Sequence, residues 1–253
     1  MVDRASLAGN QRFNRLTVQV RGNIIDTSYG TDIIAGQVES NADRDFTLYE
    51  EAVRPRWEFN PDLFLFSDIS FNTRDYPIAA FTDGINRTSV GQRYRVGLSF
   101  GDTSEILNGS VSLGYGQQDY GNPLLEDSNA LLFDADLTWH ITPLTSLLFT
   151  AATDVAETTT NDTGGVLERQ YGLALRHSFS TRLIGTTGVS YYNRDFVGGD
   201  LTEQQTTGAA GLEYYLSREY VLFGRYQHAA FYTTAPDGNY TAEEVQLGVR
   251  IRH

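Results

Sequence analysis

The chain has 253 residues, 40% of them hydrophobic, with 15 Tyr, 14 Phe, 24 Gly, 6 Pro, no Cys and a formal net charge of -13 at pH 7. The missing cysteine excludes a disulfide framework and thiolate metal sites, and an acidic balance in which every basic residue is Arg argues against a general nucleic-acid binder, which needs a basic footprint. No apolar run has the length of a membrane helix, and a mean hydropathy of -0.33 would suit a soluble protein; that argument fails for a β-barrel, in which only alternate residues meet lipid.

Residues 1–15 are polar and without period, and Met1-Val2-Asp3-Arg4 has no secretory apolar core, so the reading is a polar tail before a first strand near Leu16. From there the period is two. Leu16, Val18, Val20 and Ile24 take one face and Gln19, Arg21 and Asn23 the other. After a polar stretch at 26–44, a second strand near 46–59 sets Val53, Trp57 and Phe59 against Arg54, Arg56 and Glu58, with Pro55 implying a bulge or a local edge. The third, near 63–76, sets Leu65, Ile69 and Phe71 against Asp68, Ser70, Asn72 and Arg74. In the fourth, Tyr94, Val96, Leu98 and Phe100 oppose Arg93, Arg95, Gly97 and Ser99; in the fifth, Val111, Leu113 and Tyr115 oppose Ser110, Ser112, Gly114 and Gly116.

A sixth strand near 130–140 alternates Leu131, Phe133, Ala135, Leu137 and Trp139 with Leu132, Asp134, Asp136, Thr138 and His140. Two carboxylates facing a dry sandwich core would be very costly, whereas a wet interior accepts them. Six more strands follow near 146–157, 166–178, 183–196, 205–216, 220–232 and 240–252, with short connections alternating with longer acidic ones. The expected fold is all-β: a transmembrane antiparallel β-barrel of about twelve strands with both termini periplasmic. Trp57, Phe59, Phe100, Trp139 and Phe179 near the short-turn ends, and Tyr76, Tyr120, Tyr191 and Phe231 near the long-loop ends, suggest two aromatic girdles. A soluble β-sandwich is the competing class, since it alternates in the same way within one strand.

With the strands placed, Thr82-Asp83-Gly84-Ile85-Asn86-Arg87 before Val96-Gly97-Leu98-Ser99-Phe100-Gly101, then Gly114-Tyr115-Gly116, Leu137-Thr138-Trp139 before Thr142-Pro143-Leu144-Thr145-Ser146, Gly211-Leu212-Glu213-Tyr214-Tyr215 and Leu247-Gly248-Val249-Arg250-Ile251-Arg252 carry a resemblance. The chain resembles the beta-barrel porin type 2 family, bacterial outer-membrane proteins often encoded beside exopolysaccharide genes. The resemblance implies an outer-membrane location and a part in polysaccharide secretion, and it supplies no site residues.

The residues themselves offer a candidate pore lining. The inward positions include Arg54, Arg56, Asp68, Arg74, Arg93, Arg95, Asp134, Asp136, Arg176, Arg194, Glu213, Arg225 and Arg250, to which Arg21, Arg252, Glu58 and Asp154 belong by the same parity. Arg outnumbers acid in this set, so one expectation is an interior that favours anions such as acidic sugars. The other is that Arg and acid pair across the interior and plug it. The chain is then a non-conducting barrel, a scaffold or binding partner in an outer-membrane assembly. The expected surroundings are outer-membrane lipid and lipopolysaccharide, with an envelope polysaccharide or a periplasmic protein as partner and no nucleic acid. No cofactor or metal is expected, since no run has calcium-loop spacing. Catalysis would need a Ser–His arrangement, for which His177 with Ser178 or Ser190 is the one candidate; an interfacial His is the commoner explanation.

Overall fold

The computed structural model describes residues 1–34, 37–81, 83–101, 106–156, 158 and 163–251. Fifteen strands form: β1 (Val2–Phe13), β2 (Leu16–Thr27), β3 (Thr31–Ile34), β4 (Gln37–Ser40), β5 (Phe46–Asn60), β6 (Leu63–Asp75), β7 (Ser89–Phe100), β8 (Leu107–Tyr120), β9 (Ser128–Thr142), β10 (Thr145–Ala156), β11 (Val166–Ser178), β12 (Leu183–Phe196), β13 (Thr202–Tyr215), β14 (Tyr220–Thr233) and β15 (Tyr240–Ile251). Thirteen of them make one antiparallel sheet in chain order, and β3 with β4 makes a separate hairpin in the connection between β2 and β5.

The strands follow alternation, and the tight turns between them follow local side-chain chemistry. Asn14, at a φ of 56°, closes the two-residue turn from β1 to β2. The amide of Asp62 donates to Asn60 Oδ1 at 2.9 Å, and that of Leu144 to Thr142 Oγ1 at 3.2 Å. Ser180 Oγ accepts from Arg182 and Leu183, and Ser217 Oγ from Glu219 and Tyr220. These turns cluster at one end of the sheet, the turn end. The long connections 28–45 and 76–88 stand at the other, the loop end.

Several expectations are corrected. Residues 2–13 are not a tail but strand β1, paired with β2 from Val2↔Thr27 to Phe13↔Leu16. Among the described residues the sheet therefore has thirteen strands where twelve are expected, with Val2 at its loop end and Ile251 at its turn end. Among the described residues β1 and β15 are not paired, and the sheet ends on two free edges. Pro55 makes no bulge. Val53↔Ile69 and Arg56↔Phe66 keep one register on either side of it, and the β5–β6 ladder simply lacks pairs at Arg54 and Pro55, where proline has no N–H to donate. The irregularity falls instead between Glu58 and Asn60.

One face is apolar and open: Val53, Trp57, Leu65, Phe71, Tyr94, Val96, Leu113, Leu131, Trp139, Leu173, Leu212 and Leu247 are all exposed. An uncovered apolar belt of this extent suits lipid and not water. At the turn end the expected aromatics Trp57, Phe59, Trp139 and Phe179 are exposed on it. At the loop end two of the expected girdle residues are buried instead. Tyr76 lies against Phe46 at 5.3 Å, and Tyr120 clusters with Ile85 and Leu125 beneath the connections.

Candidate functional site: the concave face

The registers show which side chains share the other face. Asp68 stands opposite Arg95 and Arg95 opposite Gly114; Ser112 stands opposite Asp134, and Asp136 opposite Thr150. Ser146 then faces Arg176, Arg176 faces Thr186, Gly211 faces Arg225 and Arg225 faces Gln246. Because side chains alternate with period two, this walk puts Arg54, Arg56, Asp68, Arg74, Arg93, Arg95, Asp134, Asp136, Arg176, Arg194, Glu213, Arg225 and Arg250 on a single face. Arg252 lies outside the described residues. The sheet curls toward this face: Arg74 of β6 donates to the Val155 carbonyl of β10 at 2.9 Å, and Arg93 of β7 reaches Asp154 of β10 at 2.6 Å.

From β2 to β9 the concave face is filled. Asp68, 3% exposed, takes Arg21 Nη2 and Arg54 Nε on the same carboxylate oxygen, each at 2.7 Å. Arg54 and Arg56 also lie over the rings of Phe66 and Phe64, at 5.0 and 3.5 Å from their centroids. Arg95 Nε stands 2.7 Å from Asp134 Oδ2 without an aligned hydrogen bond, so this contact is a charge pair only. Gln118, 1% exposed, donates to Asn72 and Ser89. Close packing needs small residues opposite these groups. A Cβ on Gly97 would come within 2.5 Å of Phe66, and one on Gly114 within 2.6 Å of Arg95.

The β10–β11 hairpin completes the filling. The β9–β10 ladder stops at Ala151↔Ala135, whereas β10 stays paired to β11 as far as Ala156↔Val166. Beyond Ala151 the hairpin leaves β9 and leans inward. Thr153, Val155 and Leu167, whose parity would point them outward, are buried, and Val155 and Leu167 pack on Ala130 and Leu132. Leu132 is fully buried on the concave face of β9.

From β10 to β15 the same face is open. Thr150, Gly172, Ala174, Gly188, Ser190, Ala209 and Gly211 leave two clefts of about 340 and 300 Å³, reaching to Arg225, Gln246 and Arg250. Arg194 is held between Glu168 and Glu203, both at 3.1 Å, and Arg250 by Glu213 at 3.1 Å. Arg225 donates to Gln227 at 3.1 Å; among the described residues neither it nor Arg176 has a carboxylate partner, and both are exposed.

Four acids on this face escaped the sequence reading. Registers align Glu50 with Asn72, Glu168 and Glu203 with Arg194, and Glu244 with Gln227. Glu203 precedes the strand expected near 205–216, because β13 starts earlier, at Thr202; strand parity alone finds the other three. The face is thus not uniformly basic. Its excess of Arg lies toward the turn end, at Arg54, Arg56, Arg95, Arg176, Arg225 and Arg250, and the four added acids lie toward the loop end. The acidic connections also do structural work: Asp83 holds Arg87 at 2.6 Å, Asp127 accepts the Tyr120 amide and Asp43 the Phe81 amide. Asp162, on the long acidic connection between the strands expected near 146–157 and 166–178, lies outside the described residues.

His177 hydrogen-bonds Thr145 at 2.8 Å and meets the Phe179 ring edge-on on the apolar face, while Ser190 stands opposite Gly172 on the concave one. The structure does not bring the two together.

No curated protein matches the chain. The model of one family does, over residues 2–253: the family described as "Putative beta-barrel porin 2". An antiparallel meander, apolar on its convex side and charged on its concave side, agrees with that match, and the chain belongs to this β-barrel porin family.

Proposed function

We propose that the protein is a channel of the bacterial outer membrane whose water-filled path runs along the concave face of β10–β15 and favours small anions, acidic sugars among them. Family membership supports a barrel channel in an outer membrane. The observation that carries the finer reading is the open belt of small residues from Thr150 to Gly211, flanked by the exposed Arg176 and Arg225, which have no carboxylate partner among the described residues. Fixed unpaired cations beside a narrow passage concentrate anions, whereas Arg93 and Arg95, tied to Asp154 and Asp134, are largely neutralised. A link to envelope polysaccharide rests on the family resemblance and on this suitability for acidic sugars.

A second reading, a non-conducting barrel that serves as a scaffold for a partner, is favoured by the inward lean of the β10–β11 hairpin onto Leu132. Planar-bilayer conductance under a salt gradient separates the two. A channel gives steady conductance with anion preference, and the double change Arg176→Glu and Arg225→Glu lowers the anion-to-cation permeability ratio by at least about twofold. A silent protein that is folded and heat-modifiable, or a selectivity indifferent to both changes, contradicts the channel reading.

A further inference from the structure

The inward lean of the β10–β11 hairpin contradicts the hairpin's own side-chain pattern. Val155 and Leu167 stand opposite each other on the parity that faces lipid in the rest of the sheet, and Asp154 and Glu168 on the parity that faces the interior, yet Val155 and Leu167 are buried. From Ser146↔His140 to Ala151↔Ala135 the β9–β10 ladder keeps one register, and extending it to the end of β10 sets Thr153 beside Phe133, Val155 beside Leu131 and Ala156 beside Ala130. Leu131, 75% exposed, has Tyr115 of β8 as its neighbour on one side; this extension supplies one on the other. The inner position is equally well built. The Val155 carbonyl accepts from Arg74 at 2.9 Å and its amide donates to Asp154 at 2.8 Å, so side chains serve the backbone where the ladder to β9 has ended. Arg93 pairs with Asp154 at 2.6 Å, and Tyr120 fills the space beside Gly164 and Gly165, where a Cβ would come within 2.8 and 2.5 Å of its ring and hydroxyl.

We propose that the described limbs of this hairpin, 152–156 and 166–170, form a strap with two positions: laid inside over Leu132, as in the structure, or in line with the wall, with the β9–β10 ladder continued to Ala156↔Ala130. Apolar burial alone favours neither. In the wall position Val155 and Leu167 meet lipid tails, which are as apolar as the Leu132 side chain they cover when inside. The wall position gains the continued ladder; the inner one keeps Leu132 dry and keeps the charge-assisted contacts of Arg74 and Arg93. Moving the strap outward uncovers the loop end of the filled arc between β6 and β9, so the strap sets the width of the path. As regulation of the proposed channel this rests on that reading, whereas the two positions of the strap do not.

Oxidative cross-linking of the folded 253-residue protein tests this on a clean background, since the chain has no cysteine. Val155→Cys is combined with Ala130→Cys, on the concave face of β9, or with Leu131→Cys, on its apolar face. The first pair links only with the strap inside and the second only with it in the wall, because a disulfide does not reach from one face of a strand to the other. Both pairs are expected to link in heat-modifiable protein. Asp154→Asn, an exposed change that removes the Arg93 ion pair, should raise the Leu131–Val155 yield at least about threefold. A link through Ala130 alone, with none through Leu131 even in Asp154→Asn, would mean a fixed plug and overturn the proposal. A link through Leu131 alone, or through neither, overturns it too. In planar bilayers the Leu131–Val155 link should raise conductance above that of the reduced protein, and the Ala130–Val155 link should not; equal conductance in both linked forms would overturn the regulation. Protein that forms both links and stays silent throughout would contradict the channel reading while upholding the two positions of the strap.

Discussion

Asp68 illustrates how single residues fill this interior. Its side chain is nearly fully buried, and both guanidinium groups that compensate it, Arg21 and Arg54, converge on one oxygen while keeping about a third of their own surface in water. Asp68→Asn would keep the shape and remove the charge, leaving two like charges converged on a neutral amide. Loss of a fully buried partner costs about 3–5 kcal/mol; with both Arg partly solvated and screened, about 2 kcal/mol is expected. Urea unfolding in detergent checks it: a lower midpoint with unchanged slope is predicted, and an unchanged midpoint would mean that water already carries the Arg charges. The face of every such residue was legible in the sequence, because parity fixes it. Its partner was not, because Asp68 lies 47 positions from Arg21 and 14 from Arg54, distances that only strand order converts into contact. Parity had likewise assigned Arg194 inward without revealing that two glutamates hold it.

At the scale of elements, strands from β5 onward fall close to where they are expected, since in most of them two or more large apolar residues recur on alternate positions of one face. β1 was missed because its outward positions are Asp3, Ala5, Leu7, Gly9, Gln11 and Phe13, only two of them large and apolar, so the period-two signal is faint. No sequence signal announces the lean of the β10–β11 hairpin either: Val155 and Leu167 look like ordinary outward residues until the ladder to β9 ends. If that lean is stable in the folded protein, Leu132 and Val155 are energetically coupled. Leu132→Ala is expected to cost about 2–4 kcal/mol through the cavity it leaves. A double-mutant cycle with Val155→Ala should show a coupling of about 1 kcal/mol. Strict additivity would mean that the hairpin does not rest on β9.

Across the whole molecule the concave side divides in two. One part, β2–β9, is filled by Arg–carboxylate pairs, by Phe66 and by the Gln118 network, with the hairpin laid over its loop end. The other, β10–β15, is lined by small side chains and remains open. This division reconciles the two expectations that the inward charges raised, a plugged interior and a conducting one, by assigning each to a different arc of the sheet. On the proposed channel reading it also locates selectivity: charge that is already paired holds the filled arc together, and among the described Arg of the open concave arc Arg176 and Arg225 are the ones without a carboxylate partner. The most direct test is thiol modification during bilayer recording of two single-cysteine variants. Ala209→Cys, in the open arc, should react with a bulky water-soluble thiol reagent and lose most of its conductance, while Gln118→Cys, buried in the filled arc, should be protected and conduct unchanged. Block through Gln118→Cys with none through Ala209→Cys would contradict the account, because the path would then run through the arc described as filled.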